Sequence, residues 1–218
     1  MNDWSTTLED DLNWREKELA SLKRLTILNT ENELVHRAML RASWALLYAH
    51  FEGFTKFCWE FLLDQVQVRR IAIEELREDF LLLALEKRFR QLKSQKAEAL
   101  WAFFREELPT TLSEVAVFPE NCLVAEDNLW PNVFERECAR IGIFSSALDS
   151  SRSHIKALVS RRNDIAHGKR MIIKSIEEYS EYENVVVLVM HDLAVQVLDL
   201  LEKEAYKKQD TNVLASHS

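Results

Sequence analysis

The sequence predicts an all-α fold, a helical bundle with a long central helix pair and an additional helical insertion. Glycine and proline are scarce, at three residues each, whereas average usage in a chain of this length gives roughly fifteen glycines and about eleven prolines. Because sheet proteins need many turn residues, this shortage favours long helices with few connections. Apolar residues also recur at helical spacing over long stretches, which is the periodicity of amphipathic helices.

The length of 218 residues, with 47% apolar and 29% charged residues, is sufficient for one ordinary domain with a buried core. We predict a single domain over residues 1–208 and a disordered polar tail over residues 209–218. Residues 71–125 are a candidate insertion whose role, as a lid, a docking surface or part of the bundle, stays open. No apolar run reaches the roughly 18 residues of a membrane-spanning helix, and no signal peptide is recognised, so we expect a cytoplasmic protein without a membrane partner.

The first third of the chain predicts two long helices. Leucines recur at helical spacing over about residues 5–28, which predicts an amphipathic helix. A second helix over about residues 31–67 is apolar nearly all round in its centre, so we expect it in the middle of the bundle or in an interface. Gly53 weakens this helix by about 1 kcal/mol relative to alanine, and we attribute its presence to the close approach of another backbone.

The candidate insertion is less regular. Residues 79–91 and 94–107 are predicted as two shorter helices, the second of which ends at Pro109. Residues 110–119 predict either a short strand or an extended loop, because they include a β-branched and aromatic run.

Capping residues predict the next helix boundaries. Asn128 is a candidate N-cap for a helix over about residues 129–140, and Gly142 stands where a C-cap is expected. Asp149 or Ser150 is the candidate N-cap of the following helix.

The last helix is separated from its predecessor by a clear stop and start signal. Gly168 ends the preceding helix, and residues 169–174 form a connection. Ser175 and Glu178 have the spacing of a capping box, and the helix they start runs to about Lys207. Its β-branched run at residues 185–187 leaves a strand as the alternative there.

The net charge of −8, from 28 basic and 36 acidic residues, does not favour non-specific binding of nucleic acid over the whole surface. A polyanionic substrate therefore needs a local basic patch. Cys58, Cys122 and Cys138 lie far apart without zinc-ligand spacing, so we interpret them as core residues in a reducing cytosol. The sequence predicts no metal and no cofactor.

Residues 160–170, Ser-Arg-Arg-Asn-Asp-Ile-Ala-His-Gly-Lys-Arg, are explained neither as core nor as a solvated face. Asn163 and His167 are four residues apart and share a helix face. Arg162 and His167 are about 140° apart around a helix, an angle that a long arginine bridges when the histidine lies in the last turn. The basic residues of this region supply a local positive patch: Arg161, Arg162, Lys169, Arg170 and Lys174.

These residue types suit RNA cleavage without a metal. The ribose 2′-hydroxyl must lose a proton, the leaving 5′-oxygen must gain one, and charge builds on the non-bridging phosphate oxygens. Histidine moves protons near neutral pH, and arginine offers a permanently charged planar fork of donors. Asparagine orients the histidine or binds phosphate. Preorganised donors of this kind contribute about 3–4 kcal/mol each.

The segment from Arg162 to His167 matches the R-X4-H pattern of HEPN domains, and residues 158–168 resemble the RN-x-IAHG version of that pattern. Residues 46–54, 128–130 and 141–143 resemble one bacterial HEPN-like nuclease family. Together these similarities span about residues 40–200.

The resemblance implies a helical bundle that forms a homodimer, in which two motifs build one composite cleft. It implies a metal-independent endoribonuclease that leaves 2′,3′-cyclic phosphate and 5′-hydroxyl ends, a toxin or phage-defence effector with an antitoxin or defence-system partner. His167 is then the general acid or base, Arg162 stabilises the transition state and Asn163 orients the cleft. Lys169 stands where some HEPN toxins carry a tyrosine that a nucleotidyltransferase modifies, so we do not expect that mode of neutralisation.

Several of these residues have simpler interpretations. His167 also suits a helix C-terminus, where it interacts with the helix dipole. Glu52 either supports Arg162 by pairing with it or occupies a solvated position, because an unpaired carboxylate among aromatic residues is costly. Asp164 either supports the chemistry or pairs with a neighbouring basic residue. The alternative function is a non-catalytic HEPN-like module for RNA binding, protein binding or dimerisation.

Overall fold

The computed structural model describes residues 3–124 and 128–209, and its regular elements are helices. The helices are α1 (Trp4–Leu28), α2 (Glu33–Val68), α3 (Glu78–Leu92), α4 (Ala97–Ala102), α5 (Leu108–Leu112), α6 (Pro131–Ala139), α7 (Ser146–Ala166) and α8 (Ile176–Glu202). A 3-10 helix at Ile73–Glu75 precedes α3, and a π-helical turn at Phe103–Glu107 joins α4 to α5. The predicted all-α fold is confirmed.

The core is built by the four long helices α1, α2, α7 and α8, and α2 packs against the other three. Trp44, Phe51 and Trp59 of α2 are fully buried or nearly so, as the apolar centre of this helix predicts. The pair α2 and α8 makes the most extensive helix contact, which gives the bundle its long central pair.

Helix α8 is the one helix of the described residues that is long and apolar enough to cross a membrane by length and composition. It packs against α1, α2 and α7, and 44% of its most apolar window is buried inside the protein. Burial of one face in a bundle is a sufficient reason for that composition. The run at residues 185–187 is helical, so the strand alternative was wrong, because packing outweighs the propensity of three valines.

Residues 71–124 add no long helix to the bundle, although their buried apolar residues belong to the same hydrophobic core, and their two ends are held together. Ala72 and Val115 form an isolated antiparallel bridge, beside which the Ala116 amide donates to the Ile71 carbonyl at 2.8 Å. The chain thus leaves and rejoins the bundle at nearly one place. The interpretation of this segment as an insertion stays a prediction.

A second bridge joins this segment to the residues after α8. Leu76 and Lys207 pair in antiparallel fashion, and the Arg77 amide donates to the Tyr206 carbonyl at 2.8 Å. Tyr206 is fully buried and meets the ring of Phe80 edge-on, with centroids 6.3 Å apart. Residues 206–208 therefore act as a clasp on the start of α3.

Two predictions for the segment around Pro109 were wrong. Pro109 does not end a helix, because it lies in the first turn of α5, where a missing amide donor costs little. The preceding π-helical turn carries the chain into α5. Residues 110–112 are helical, and Val115 contributes only a single bridge, so neither alternative for residues 110–119 describes the whole stretch.

Two predicted N-caps were also wrong. Trp130, not Asn128, precedes α6, whose first residue is Pro131. Ser145, not Asp149 or Ser150, caps α7, and its hydroxyl accepts a hydrogen bond from the Leu148 amide at 3.0 Å. The side chain of Asn128 instead accepts a hydrogen bond in the site described below. A local capping pattern does not reveal that role.

The glycine stops and the last capping residue were predicted correctly. Gly142 and Gly168 adopt φ values of +69° and +71°, which favour glycine at a helix end. The Ser175 hydroxyl accepts from the Glu178 amide at 3.3 Å. Helix α8 ends at Glu202, earlier than the predicted Lys207. The predicted disordered tail, apart from its first residue, lies outside the described residues.

We predicted that the backbone of another segment approaches Gly53 closely, and this was wrong. A Cβ atom at this position would lie 2.9 Å from Nη1 of Arg15, so a side chain, not a backbone, approaches α2 here. The Arg15 guanidinium is nearly buried and its Nε donates to Asp11 at 2.7 Å. The glycine thus leaves room for an ion pair of α1 against the face of α2.

Candidate active site

The motif residues occupy the last turn of α7 and the turn that ends it. His167 is the C-cap residue. The Gly168 amide donates to the Ile165 carbonyl at 3.1 Å, and the Lys169 amide donates to the Asp164 carbonyl at 2.9 Å. This pair of hydrogen bonds around a left-handed glycine is a Schellman motif, which ends the helix abruptly and leaves the His167 side chain exposed.

Arg162 is held by neutral acceptors. Its Nη1 donates to Oδ1 of Asn128 at 2.8 Å and to Oδ1 of Asn163 at 2.9 Å. The guanidinium carbon lies 4.2 Å from the ring centroid of Tyr48, a cation–π distance. The side chain is 28% exposed, so the group is fixed in direction and still reaches the surface.

Tyr48 holds the two sides of this arrangement together. Its hydroxyl oxygen accepts from the Leu129 amide at 2.8 Å, which fixes the backbone beside Asn128. Burial, with a smaller contribution from the charge of Glu52, raises the pKa of Tyr48 to about 12. The phenol is therefore neutral at physiological pH and presents an uncharged ring face to Arg162.

Glu52 lies on the same face of α2, one turn after Tyr48. Its Oε2 is 3.8 Å from Nη2 of Arg162, a distance beyond a hydrogen bond. Its Oε1 accepts from Nζ of Lys56 at 2.7 Å. Glu52 is therefore paired closely with Lys56 and more loosely with Arg162.

The side chains of His167, Asn163 and Asp164 differ in how they are engaged. The imidazole of His167 makes no hydrogen bond with the part of the chain that the structure describes. Asn163 is occupied by Arg162, as given above. Asp164 accepts from Nζ of Lys169 at 2.7 Å in an exposed ion pair, the simpler of the two interpretations of that carboxylate.

Of the predicted RNA-binding residues, Arg161 faces a different partner from Arg162. Its Nη1 donates to Oε1 of Glu178 at 2.6 Å, and its guanidinium lies 5.0 Å from the Trp44 ring and 5.5 Å from the Tyr182 ring. Its charge is used to join α7 to α8.

The remaining predicted RNA contacts lie beyond the end of α7. Lys169 is paired with Asp164. Arg170 and Lys174 are exposed, and neither forms an ion pair with the residues 3–124 and 128–209. These two cations are therefore available to an anionic ligand.

A family model describes most of this chain. The model of HEPN_MAE_28990-like HEPN domains matches residues 4–206. The chain belongs to the HEPN family. HEPN domains are associated with RNA cleavage or RNA binding. No curated protein and no solved structure matches the chain.

The HEPN match extends over nearly all of the described residues, including the segment 71–124. Two residues that position Arg162, Tyr48 and Asn128, were not predicted as site residues. Both lie in stretches whose resemblance to a HEPN-like nuclease family was noted from the sequence, which is the signal that points to them. Lys56, the partner of Glu52, carries no such signal.

The cysteines of this HEPN chain are core residues, as predicted. All three are buried and unbridged, and burial raises the pKa of Cys138 to about 12. Within residues 3–124 and 128–209, no three side chains of histidine, cysteine, aspartate or glutamate are grouped as metal ligands would be.

Proposed function

We propose that this HEPN protein is a metal-independent endoribonuclease, acting in the cytoplasm as a toxin or phage-defence effector. One observation carries the proposal. The Arg162 guanidinium is fixed by two amide oxygens and an aromatic face, while its nearest carboxylate is 3.8 Å away. Its positive charge is thus oriented by neutral acceptors, with no carboxylate in hydrogen-bond contact, so its donors suit binding of a phosphodiester.

The proposed reaction forms a bond from the ribose 2′-oxygen to phosphorus and breaks the bond from phosphorus to the 5′-oxygen. One general base takes the 2′-proton, and one general acid protonates the leaving 5′-oxygen. His167 serves in one of these roles. Arg162 donates to the non-bridging oxygens, and Asn163 keeps the guanidinium in place. The products carry 2′,3′-cyclic phosphate and 5′-hydroxyl ends.

A homodimer would supply the second proton-transfer group. Each chain contributes one R-X4-H motif, and the imidazole of His167 is exposed beyond the end of α7. Two such motifs that face each other across a two-fold axis give one acid and one base. The dimer and an antitoxin or defence-system partner are parts of the proposal.

The test is cleavage of single-stranded RNA in EDTA by the wild type, His167→Ala and Arg162→Ala. We expect both variants to lose activity by about 100-fold or more, and mass spectrometry to find cyclic-phosphate ends on the wild-type products. His191→Ala, which removes an exposed histidine of α8, is the matched control and should retain activity. Undiminished cleavage by both site variants would refute the assignment.

A non-catalytic RNA- or protein-binding dimerisation module is the second candidate. The observation in its favour is that no described residue orients the imidazole of His167. This function gives RNA or partner binding without cyclic-phosphate products, so the same experiment separates the two.

A further inference from the structure

A groove of about 410 Å³ lies where the chain after α7 crosses the first turns of α2. It is lined by Leu34, Arg37 and Arg41 of α2 and by Arg170 and Ile172 of the connection to α8. Arg170 is only three residues after His167. We name it the Arg41/Arg170 groove, and the chain that lines it continues directly from the motif at the end of α7.

The charge of the groove is opposite to that of the molecule. The chain has a net charge of −8, yet three arginines and no carboxylate line the groove. Arg37 is paired with Glu33. Arg41 and Arg170 form no ion pair with the described part of the chain. Unneutralised guanidinium groups in one groove attract a polyanion.

The groove also offers exposed apolar surface. The Leu34 and Ile172 side chains are 80% and 55% exposed, and both line it. Guanidinium planes stack on unstacked bases, and exposed apolar side chains lose contact with water when a base covers them, whereas duplex RNA keeps its bases inside. The combination of cations and apolar surface favours a single strand over a duplex.

We propose that the Arg41/Arg170 groove binds single-stranded RNA next to the scissile phosphate. The phosphates contact Arg41 and Arg170, and a base lies against Ile172 and Leu34. The placement next to a scissile phosphate rests on the proposed function, whereas the binding of RNA in the groove does not. A second copy of the chain is a poorer occupant, because a two-fold contact here brings the arginines of both copies together.

The test measures binding of a fluorescent single-stranded 2′-O-methyl RNA, which cannot undergo 2′-hydroxyl attack, at several salt concentrations. Arg41→Gln/Arg170→Gln should raise Kd about tenfold or more. It should also lower the slope of log affinity against log salt by about 1.4, since each single-strand phosphate contact contributes about 0.7. The matched control is Arg88→Gln/Arg105→Gln, which removes two exposed arginines that do not line the groove.

The outcomes separate this inference from the proposed function. If the wild type cleaves RNA and the groove variant binds it as tightly as the control, the groove inference is overturned and the nuclease stands. If the groove variant loses binding while the wild type cleaves no RNA, the groove is supported and the nuclease fails.

Light scattering adds a third outcome. A groove variant with unchanged RNA binding and an altered oligomeric state overturns the inference, because the groove is then a contact between copies. Arg170→Gln alone changes an exposed connection residue, and it carries the same test if the double variant does not fold.

Discussion

Arg161 and Arg162 are adjacent in sequence, about 100° apart around α7, and occupy similar settings. Each lies over an aromatic ring of α2, Trp44 for Arg161 and Tyr48 for Arg162. Their side chains are 26% and 28% exposed. The difference is the acceptor, which is the carboxylate of Glu178 at 2.6 Å for Arg161 and the amide oxygens of Asn128 and Asn163 for Arg162.

This difference separates a structural arginine from a candidate catalytic one. A carboxylate in direct contact cancels the charge of Arg161 and uses it to join α7 to α8. Amide oxygens direct Arg162, and its nearest carboxylate, Glu52, stays at 3.8 Å without a hydrogen bond, so its donors remain suited to a phosphate. Stacking and burial alone do not distinguish the two residues.

The largest expected effect comes from changing each arginine to lysine. Arg162→Lys should lower kcat/KM for RNA cleavage by about 100- to 1,000-fold, because an ammonium group cannot reproduce the planar fork of donors. Arg161→Lys should keep kcat/KM within about threefold of the wild-type value, and it should lower the free energy of unfolding by about 1–2 kcal/mol. In a chain of this size each kcal/mol corresponds to about 2–4 °C in Tm.

Cleavage rates and thermal denaturation of the two variants, side by side, check this prediction. Equal losses of activity in both would show that the acceptor does not decide the role of the arginine.

A smaller effect is expected when Arg162 is given a carboxylate acceptor like the one that Arg161 has. Asn128→Asp places a carboxylate in contact with the Arg162 guanidinium, which should reduce RNA cleavage and RNA affinity about tenfold by neutralising its charge. Asn128→Ala removes the same hydrogen bond and keeps the charge, so its loss should be about threefold. Kinetics of the pair check the order, and an Asn128→Asp enzyme more active than Asn128→Ala would contradict it.

The smallest effect concerns His50, which lies on α2 between Tyr48 and Glu52. It is buried, and its Nε2 lies 2.8 Å from Oε2 of Glu18. Burial, partly offset by the Glu18 charge, lowers the pKa of His50. Below the unfolded value of about 6.5 the unfolded chain therefore binds more protons than the native one. Stability is full above pH 6.5 and is lost as pH falls through the native pKa.

Urea unfolding of the wild type and of His50→Gln between pH 5 and 8 measures this loss. The free energy of unfolding should depend less on pH in the variant. The pH profile of RNA cleavage, in contrast, should be the same in both proteins, because His167 carries the proposed proton transfer. If the pH profile of cleavage changed in His50→Gln, His167 would not be the residue that transfers the proton.

The parts of the fold that the sequence predicted well are those with local signals. Gly168, Ser175 and Glu178 mark the boundary between α7 and α8 within a few residues of chain, because capping involves neighbouring amides. The position of α2 in the core was also predicted from a local signal, the apolar residues in the centre of the helix. Neither signal needs knowledge of the rest of the molecule.

The segment around residues 71–124 was predicted less well, because its structure depends on distant partners. The bridge between Ala72 and Val115 and the clasp at Leu76 join residues far apart in sequence. Pro109 was assigned as a stop from its usual effect inside a helix, whereas a preceding π-helical turn places it at a helix start.

The candidate site divides in the same way. Arg162, Asn163 and His167 lie within one motif and were predicted together. Tyr48 comes from another helix, and Asn128 reaches Arg162 across 34 residues. Asparagine is a favoured N-cap residue, so the position of Asn128 just before α6 suggested a capping role. Its contact with Arg162 is visible only in the folded structure.

The clasp of residues 206–208 on the start of α3 has a consequence for biosynthesis. A ribosome releases α3 before Tyr206, so the space beside Phe80 stays open until residues 206–208 have emerged. The start of α3 can take its final place only once the residues after α8 have emerged, and α8 itself is the last of the four long helices to be made. A nascent chain of this protein therefore cannot complete this part of the fold before residues 206–208 have left the ribosome.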